Sequence, residues 1–221
     1  MTNTNIIAID GPAASGKGTL ARNIAKKLGY AHMDTGALYR AVAYEVLQAH
    51  DDPQSEGDAT KAAQILAEKL QHGTDMLQNP VLREDHIGTA ASKVAAVPAV
   101  REAIIQLQRD FAANPAEPYK GAVLDGRDIG TVIVPDAQVK FFITADTETR
   151  AQRRFKELQS KGIEVTYGTV LADLRERDAR DAGRATSPMI PADDAVHLDT
   201  SDLTPDQALT KALEIIRSRL S

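Results

Sequence analysis

Lys17 stands among residues almost without side chains: the stretch IDGPAASGKGTL sets Gly11, Ala13, Ala14, Gly16 and Gly18 around it. Small side chains let successive backbone N–H groups converge on an anion. A lysine at the end of the turn adds a mobile point charge. The spacing from Gly11 to Lys17 fits G-x-x-x-x-G-K, a cradle for the phosphates of a nucleoside triphosphate. The triphosphate site read from it is Gly11, Pro12, Ala13, Ala14, Ser15, Gly16, Lys17, Gly18 and Thr19. Position 18, where that pattern places a magnesium-binding hydroxyl, is a glycine, and Thr19 follows one residue later.

Three further clusters carry charge at places where chemistry is expected. In MDTGALYRAV, Asp34, Thr35 and Gly36 form a helix cap, with Arg40 inside the first two turns. In VLDGRDIGT, Asp125 ends an apolar run, a position from which a carboxylate orients magnesium through water; Arg127 and Asp128 follow at once. From 150 to 184 there are nine Lys or Arg against six Asp or Glu, a local positive excess on an acidic chain. Arg177, Asp181 and Arg184 fall at i, i+4 and i+7, one face of a helix, with Gly183 and Pro188 as its breakers. A flap carrying arginines over a phosphate cradle would stabilise charge on a phosphoryl group in transfer. Taken singly, each cluster also has a plainer reading: a solvated helix arginine, a tight Asp-Gly turn, an exposed helix laced with ion pairs.

The elements that must position these residues alternate. Short apolar runs at 5–10, 30–34, 122–125, 139–144 and 196–199 are candidate strands, and their continuous apolarity fits burial on both faces of a parallel sheet. Helical patterns lie between them: Leu20, Ile24, Leu28; Leu38, Val42, Val46; Val100, Ile104, Leu107, Phe111. The last helix opens on Thr204 and Gln207, a capping box, with Pro205 at its first position. The expected fold is α/β, a doubly wound five-stranded parallel sheet whose ligands bind beyond the carboxyl ends of the strands. Residues 35–121 are too many for one crossover. We read 51–60 as a polar linker, a helix around 62–70, an irregular stretch at 79–88, and an inserted subdomain at 60–113. The region 150–188 reads as a lid, and the whole chain, 1–221, as one domain.

Bulk properties narrow the class. A net charge of −5 argues against a nucleic-acid or anionic-membrane surface spread over the molecule. The absence of cysteine excludes disulfides and cysteine-ligated metals. No run approaches the ~20 apolar residues of a membrane span, and the first residues lack the basic and apolar regions of a signal peptide. A cytoplasmic monomer is the expectation. The five histidines, His32, His50, His72, His86 and His197, are scattered and read as structural or solvated.

The motifs GPAASGKGT, MDTGALYR, ASKVAAVPAVREA, LDGRDIGT and RERDARDAGR together resemble the bacterial cytidylate kinases, within the nucleoside monophosphate kinase group of P-loop proteins. In that group GKGT is a usual form of the loop, so Gly18 becomes a point of likeness. The resemblance implies ATP as phosphoryl donor, with Mg²⁺, and CMP or dCMP as acceptor. It implies that Lys17 is shared between the phosphates of donor and acceptor, and that Arg40, Arg127 and Arg184 hold the acceptor phosphate. By the same likeness Ser92, Arg101 and Asp128 recognise cytosine, Asp181 and Arg177 form a flap pair, and Thr35 joins the acceptor set. The nominated catalytic residues are Lys17, Arg127, Arg177 and Arg184, with Asp125 near the metal through water. Arg101 by pattern alone is a solvated helix residue; only the resemblance promotes it. For adenine, Arg150 and Arg154 are the candidates. The rival readings are a kinase of another small acceptor (UMP, AMP, dTMP or a non-nucleotide metabolite) and a regulatory P-loop ATPase.

Overall fold

The structure, a computed structural model, describes residues 4–72 and 76–220. Residues 73–75 of the expected insertion, and the ends of the 1–221 span, lie outside them. Two compact units emerge, one built from Met1–Met33 and Ala112–Ser221, the other from Asp34–Phe111.

The first unit is built on a sheet. Its strands are β1 (Asn5–Asp10), β2 (Ala31–Asp34), β3 (Gly121–Gly126), β4 (Val139–Thr144) and β5 (Val196–Asp199), in the order β2-β3-β1-β4-β5. β1 pairs in parallel with β3 on one side and β4 on the other, and β4 pairs in parallel with β5. Ile7 and Ile9 sit opposite Val123 and Asp125 in β3 and opposite Val139 and Phe141 in β4. The continuous apolar runs are explained by burial: Ile7, Ala8, Ile9, Val123, Leu124, Val139 and Ile143 are wholly inaccessible. Helices α1 (Lys17–Leu28) and α8 (Pro205–Leu220) cover one layer, bringing Leu20, Ala21, Ile24, Ala208, Ala212 and Ile216 into the same core. Truncating Ile24 to alanine there would cost about 2–5 kcal/mol. Helices α6 (Thr147–Ser160) and α7 (Tyr167–Ala182) pack on each other through Ala151, Leu158, Val170 and Leu174. The capping box of α8 forms as expected: Gln207 N donates to Thr204 Oγ1, and Thr204 N to Gln207 Oε1.

The second unit is helical. It holds α2 (Thr35–Gln48), α3 (Glu56–Gln71), α4 (Asp85–Val94) and most of α5 (Pro98–Ala113), with short 3₁₀ turns at Met76–Gln78 and Pro80–Arg83. α2 packs against both α3 and α4, and its Leu38, Ala41, Val42 and Val46 are buried. The polar stretch read as a linker through residue 60 is shorter than expected, because α3 begins at Glu56. Ser55 caps it, its Oγ accepting the Asp58 N–H at 3.4 Å, and Glu56 and Asp58 face the positive end of the helix. The irregular stretch likewise ends early: residues 85–88 are already the first turn of α4. Pro98 then opens α5 at its first position, separating it from α4.

Candidate active site

In the first unit parallel strands end at one edge of the sheet, and the phosphate-loop segment and the Arg127 segment both leave from it. β1 runs into the small-residue loop, β3 into Arg127, β4 into Ala145 and β5 into Thr200. Two positions of the loop demand glycine. A Cβ on Gly11 would lie 2.1 Å from the Ile143 carbonyl oxygen, and Gly16 adopts φ 86° as the cap of α1. Lys17 opens α1 and reaches back, its Nζ 3.4 Å from the Pro12 carbonyl, so its charge stays over the loop. The N–H groups and dipole of the α1 N-terminus add to that field.

Asp125 lies at the end of β3, buried, with Oδ1 facing the start of α1 at Gly18. His32, the second residue of β2, sets Nε2 2.8 Å from Asp125 Oδ2. The sequence reading left His32 among the scattered histidines. The signal that would have found it is topological, since β2 and β3 are neighbours in the sheet.

The loop after β3 is held from below. Asp10, the last residue of β1, accepts two consecutive N–H groups: Ile129 on Oδ1 and Gly130 on Oδ2, both at 2.8 Å. These open a π-helical turn, Ile129–Ile133, in which Ile133 N and Val134 N reach back five residues to the carbonyls of Asp128 and Ile129. Burial pushes the Asp10 carboxyl up to about 7 against the pull of those two N–H groups, with nearby Asp128 adding to the rise.

Arginines from α7, from beyond its end and from the end of β3 converge on one carboxylate; Arg184 lies past α7, not on its face, because the helix stops at Ala182 with Gly183 as its cap. Arg127 Nε donates to Asp181 Oδ2 at 2.8 Å, Arg184 donates to Asp181 Oδ1, and Arg177 adds a third positive charge. Burial alone would raise the Asp181 carboxyl; the fields of Arg127, Arg184 and Arg177 outweigh it and hold the group below the usual range. The structure therefore brings together Arg127, Arg177, Asp181 and Arg184, an excess of positive charge around one buried carboxylate. The segment after α7 turns back, Met189 N donating to the Asp181 carbonyl.

A cleft of about 390 Å³ opens beside the loop, lined by Ser15, Gly16, Thr19, Arg153, Arg154, Thr200, Leu203 and Pro205 among others. That volume suits a small-molecule site. Of the adenine candidates, Arg154 lines it, whereas Arg150 is buried and bonded to protein atoms.

The second unit holds the remaining nominated residues. Thr35 is buried at the start of α2. Arg40 donates to the Leu82 carbonyl at 3.0 Å, and Gly88 leaves room for its guanidinium. Ser92 is buried on α4. Arg101, which pattern alone left in solvent, is 6% exposed on α5, donates to the Ala95 carbonyl and lies 5.5 Å from the Tyr39 ring centre. A buried arginine carrying its charge needs acceptors around it, and so does not read as a surface residue. Among the described residues no group of three or more His, Cys, Asp or Glu is placed to hold a metal.

A central strand entering a glycine-rich loop, a lysine at the head of the next helix and parallel neighbours ending at the same edge define a P-loop nucleotide-binding enzyme. Comparison with known proteins gives the family within that class. The model of the family described as Cytidylate kinase matches residues 7–218, and the chain belongs to that family. The cytidylate kinase of Paramagnetospirillum magneticum is 56% identical over 216 residues, 98% of this chain and 99% of that one. The cytidylate kinase of Rhodospirillum rubrum is 56% identical over 211 residues, 96% of each. Among solved structures, an uncharacterized protein from Eubacterium ventriosum shares the fold at a TM-score of 0.54 and 18% identity, covering 98% of this chain and all of that one. The chain is a kinase.

Proposed function

We infer that the chain transfers the γ-phosphoryl group of ATP to CMP or dCMP, giving ADP and the corresponding diphosphate. The observation that carries this reading is family membership across nearly the whole length, joined to a phosphate loop and an arginine cluster in one unit. Gly11–Thr19 takes the donor phosphates on its N–H groups, with Lys17 between donor and acceptor. The ATP nucleoside lies in the cleft beside Thr200 and Leu203. Arg127, Arg184 and Arg40 take the acceptor phosphate, and Arg177 and Asp181 join the first two in the sheet-bearing unit. Ser92, Arg101 and Asp128 read the base, and Thr35 joins the acceptor set. Cytosine offers an N4 donor beside the N3 and O2 acceptors, so hydroxyl, guanidinium and carboxylate supply complementary partners. A site that leaves such buried groups unpaired discriminates strongly against the wrong base.

The protein's work in this reaction is positional. A phosphoryl transfer needs donor and acceptor in line and its spreading negative charge met by fixed cations. Lys17 and the arginines supply those cations, and no general base is nominated. Mg²⁺, carried with ATP, would neutralise charge on the donor phosphates. The oxygen of Asp125 that faces Gly18 fits a hard cation held mainly by phosphate and water. The nominated partners are the two nucleotides alone, with no nucleic acid or membrane. Among the described residues no helix is long and apolar enough to cross a membrane. We assign the chain to the cytoplasm as a monomer.

The test is ADP formation from Mg·ATP with CMP, dCMP, UMP, AMP, dTMP or no acceptor. Fast turnover confined to CMP and dCMP is expected. Preference for another monophosphate would discard the base assignment at Ser92, Arg101 and Asp128. Slow release indifferent to every acceptor would remove the transfer reaction itself.

A further inference from the structure

Three carbonyls of the phosphate loop are turned onto donors. Pro12 O faces Lys17 Nζ at 3.4 Å, Ala13 O accepts from Arg150 Nη1 at 3.2 Å, and Ser15 O accepts from Thr200 Oγ1 at 2.9 Å. A loop that offers N–H groups to an anion must send its carbonyls elsewhere, because a carbonyl oxygen facing phosphate oxygens repels them. Lys17 is part of the loop's own turn. Arg150 comes from α6 and reaches further.

Its side chain is 4% exposed, and its guanidinium has four acceptors. Beyond Ala13 O, Nε donates to Ala145 O at 2.9 Å, at the end of β4, and Nη2 donates to Thr147 Oγ1 at 2.8 Å. Nη2 also lies 2.7 Å from Asp178 Oδ2 on α7. The other oxygen of Asp178 is buried with no hydrogen-bond partner, so the ion pair to Arg150 is what orients this carboxylate. Asp178 follows Arg177 directly and stands three residues before Asp181. One planar fork therefore touches the phosphate loop, the end of a central strand and the helix that carries the arginine cluster. A lysine, with one point of charge, cannot satisfy these directions together.

We propose that Arg150 is a positioning residue for phosphoryl transfer, holding the Ala13 carbonyl outward so that the loop's N–H groups face the phosphates, and fixing α7 about its axis through Asp178. The proposal rests on reading Gly11–Thr19 as the ATP phosphate site, and it takes Arg150 out of the adenine contacts.

The experiment compares the full-length wild type with Arg150→Lys, Asp178→Asn and the double variant. It measures kcat, KM for ATP and for CMP, ATP affinity by calorimetry, and the melting temperature. For Arg150→Lys, ATP affinity and kcat should each fall about tenfold or more while KM for CMP stays within about twofold. Asp178→Asn should lower kcat with a smaller effect on ATP affinity, and the double variant should fall well short of the product of the two single losses. Arg150→Lys with wild-type kcat and ATP affinity, whatever its melting temperature, would make the residue merely structural and overturn the proposal. Independent, multiplying effects would overturn the link to α7. If Arg150→Lys does not fold, Asp178→Asn decides, since its side chain is 23% exposed: an unchanged kcat overturns the proposal. A wild type that fails to bind ATP would sink the phosphate-site reading and this proposal together. Binding by wild type with unaffected variants sinks this proposal alone.

Discussion

At the scale of single residues, the site is a contest between burial and charge. Lys17 is the one cation on the loop itself, and its position over the Pro12 carbonyl keeps its charge where phosphate oxygens are expected. Its replacement by alanine removes a fixed charge from the transferring group while leaving the core of Ile7, Ile9 and Ile24 untouched. We expect kcat to fall by about 10²–10³-fold or more, the range for losing one preorganised stabilising donor, with an unchanged circular-dichroism melt. Near-normal turnover would take Lys17 out of the mechanism. Asp181 shows the opposite balance, its carboxyl held low by Arg127, Arg184 and Arg177 despite burial. A lowered carboxylate contributes stability that is fully present above its unfolded pKa, near 3.8, and is lost as pH falls through the folded value. Urea unfolding of wild type and Asp181→Asn should accordingly differ at neutral pH and converge as the solution is taken below that point. A gap that stays constant with pH would show that the arginines do not act through this charge.

At the scale of elements, Asp10 ties β1 to the π-helical turn that follows Asp128, because its two oxygens take two successive N–H groups. Asparagine can accept only one of them and would set an N–H against the other. The carboxyl lies near 7, far above its ordinary 3.8, with burial as the main cause. For a raised pKa the sign reverses: the stabilising contribution is fully present below the unfolded value and is lost as pH rises through about 7. The stability difference between wild type and Asp10→Asn should favour wild type most at pH 4 and shrink by up to ~1.4 kcal/mol per pH unit towards pH 7. A difference flat across that window would place Asp10 at an ordinary pKa. These same elements show what a sequence exposes. Strands buried on both faces, such as β1 and β4, read as unbroken apolar runs, and the box at Thr204 and Gln207 reads from two residues. The start of α3 stayed hidden because Glu56, Gly57 and Asp58 look like linker unless Ser55 is counted as their cap. The roles of His32, Arg150 and Thr200 were out of reach for a different reason. Their partners Asp125, Ala13 and Ser15 are distant along the chain, and only the strand order brings them near. Arg101 marks the limit of pattern reading, since its helical position is that of a solvated residue while the fold buries it.

At the scale of the whole molecule, the nominated residues divide between two units. Gly11–Thr19, Arg127, Asp128, Arg177, Asp181 and Arg184 belong to the sheet-bearing one, and Thr35, Arg40, Ser92 and Arg101 to the helical one. Each substrate should leave its own mark on these residues. Backbone amides exchange through local opening, and a ligand that binds only the closed form slows that opening by mass action. Hydrogen exchange read by mass spectrometry can therefore assign each nucleotide to its residues without relying on turnover. ATP alone should protect peptides covering 11–20 and 200–208, the loop and the cleft beside it, and leave 85–105 at the free rate. CMP alone should protect 85–105, around Ser92 and Arg101, together with 125–134. Protection by CMP confined to the sheet-bearing unit would remove Ser92 and Arg101 from base recognition even if CMP proved the best acceptor. Protection of 85–105 by UMP as strong as by CMP would keep the helical unit as an acceptor site but deny that its serine and arginine read the cytosine amino group.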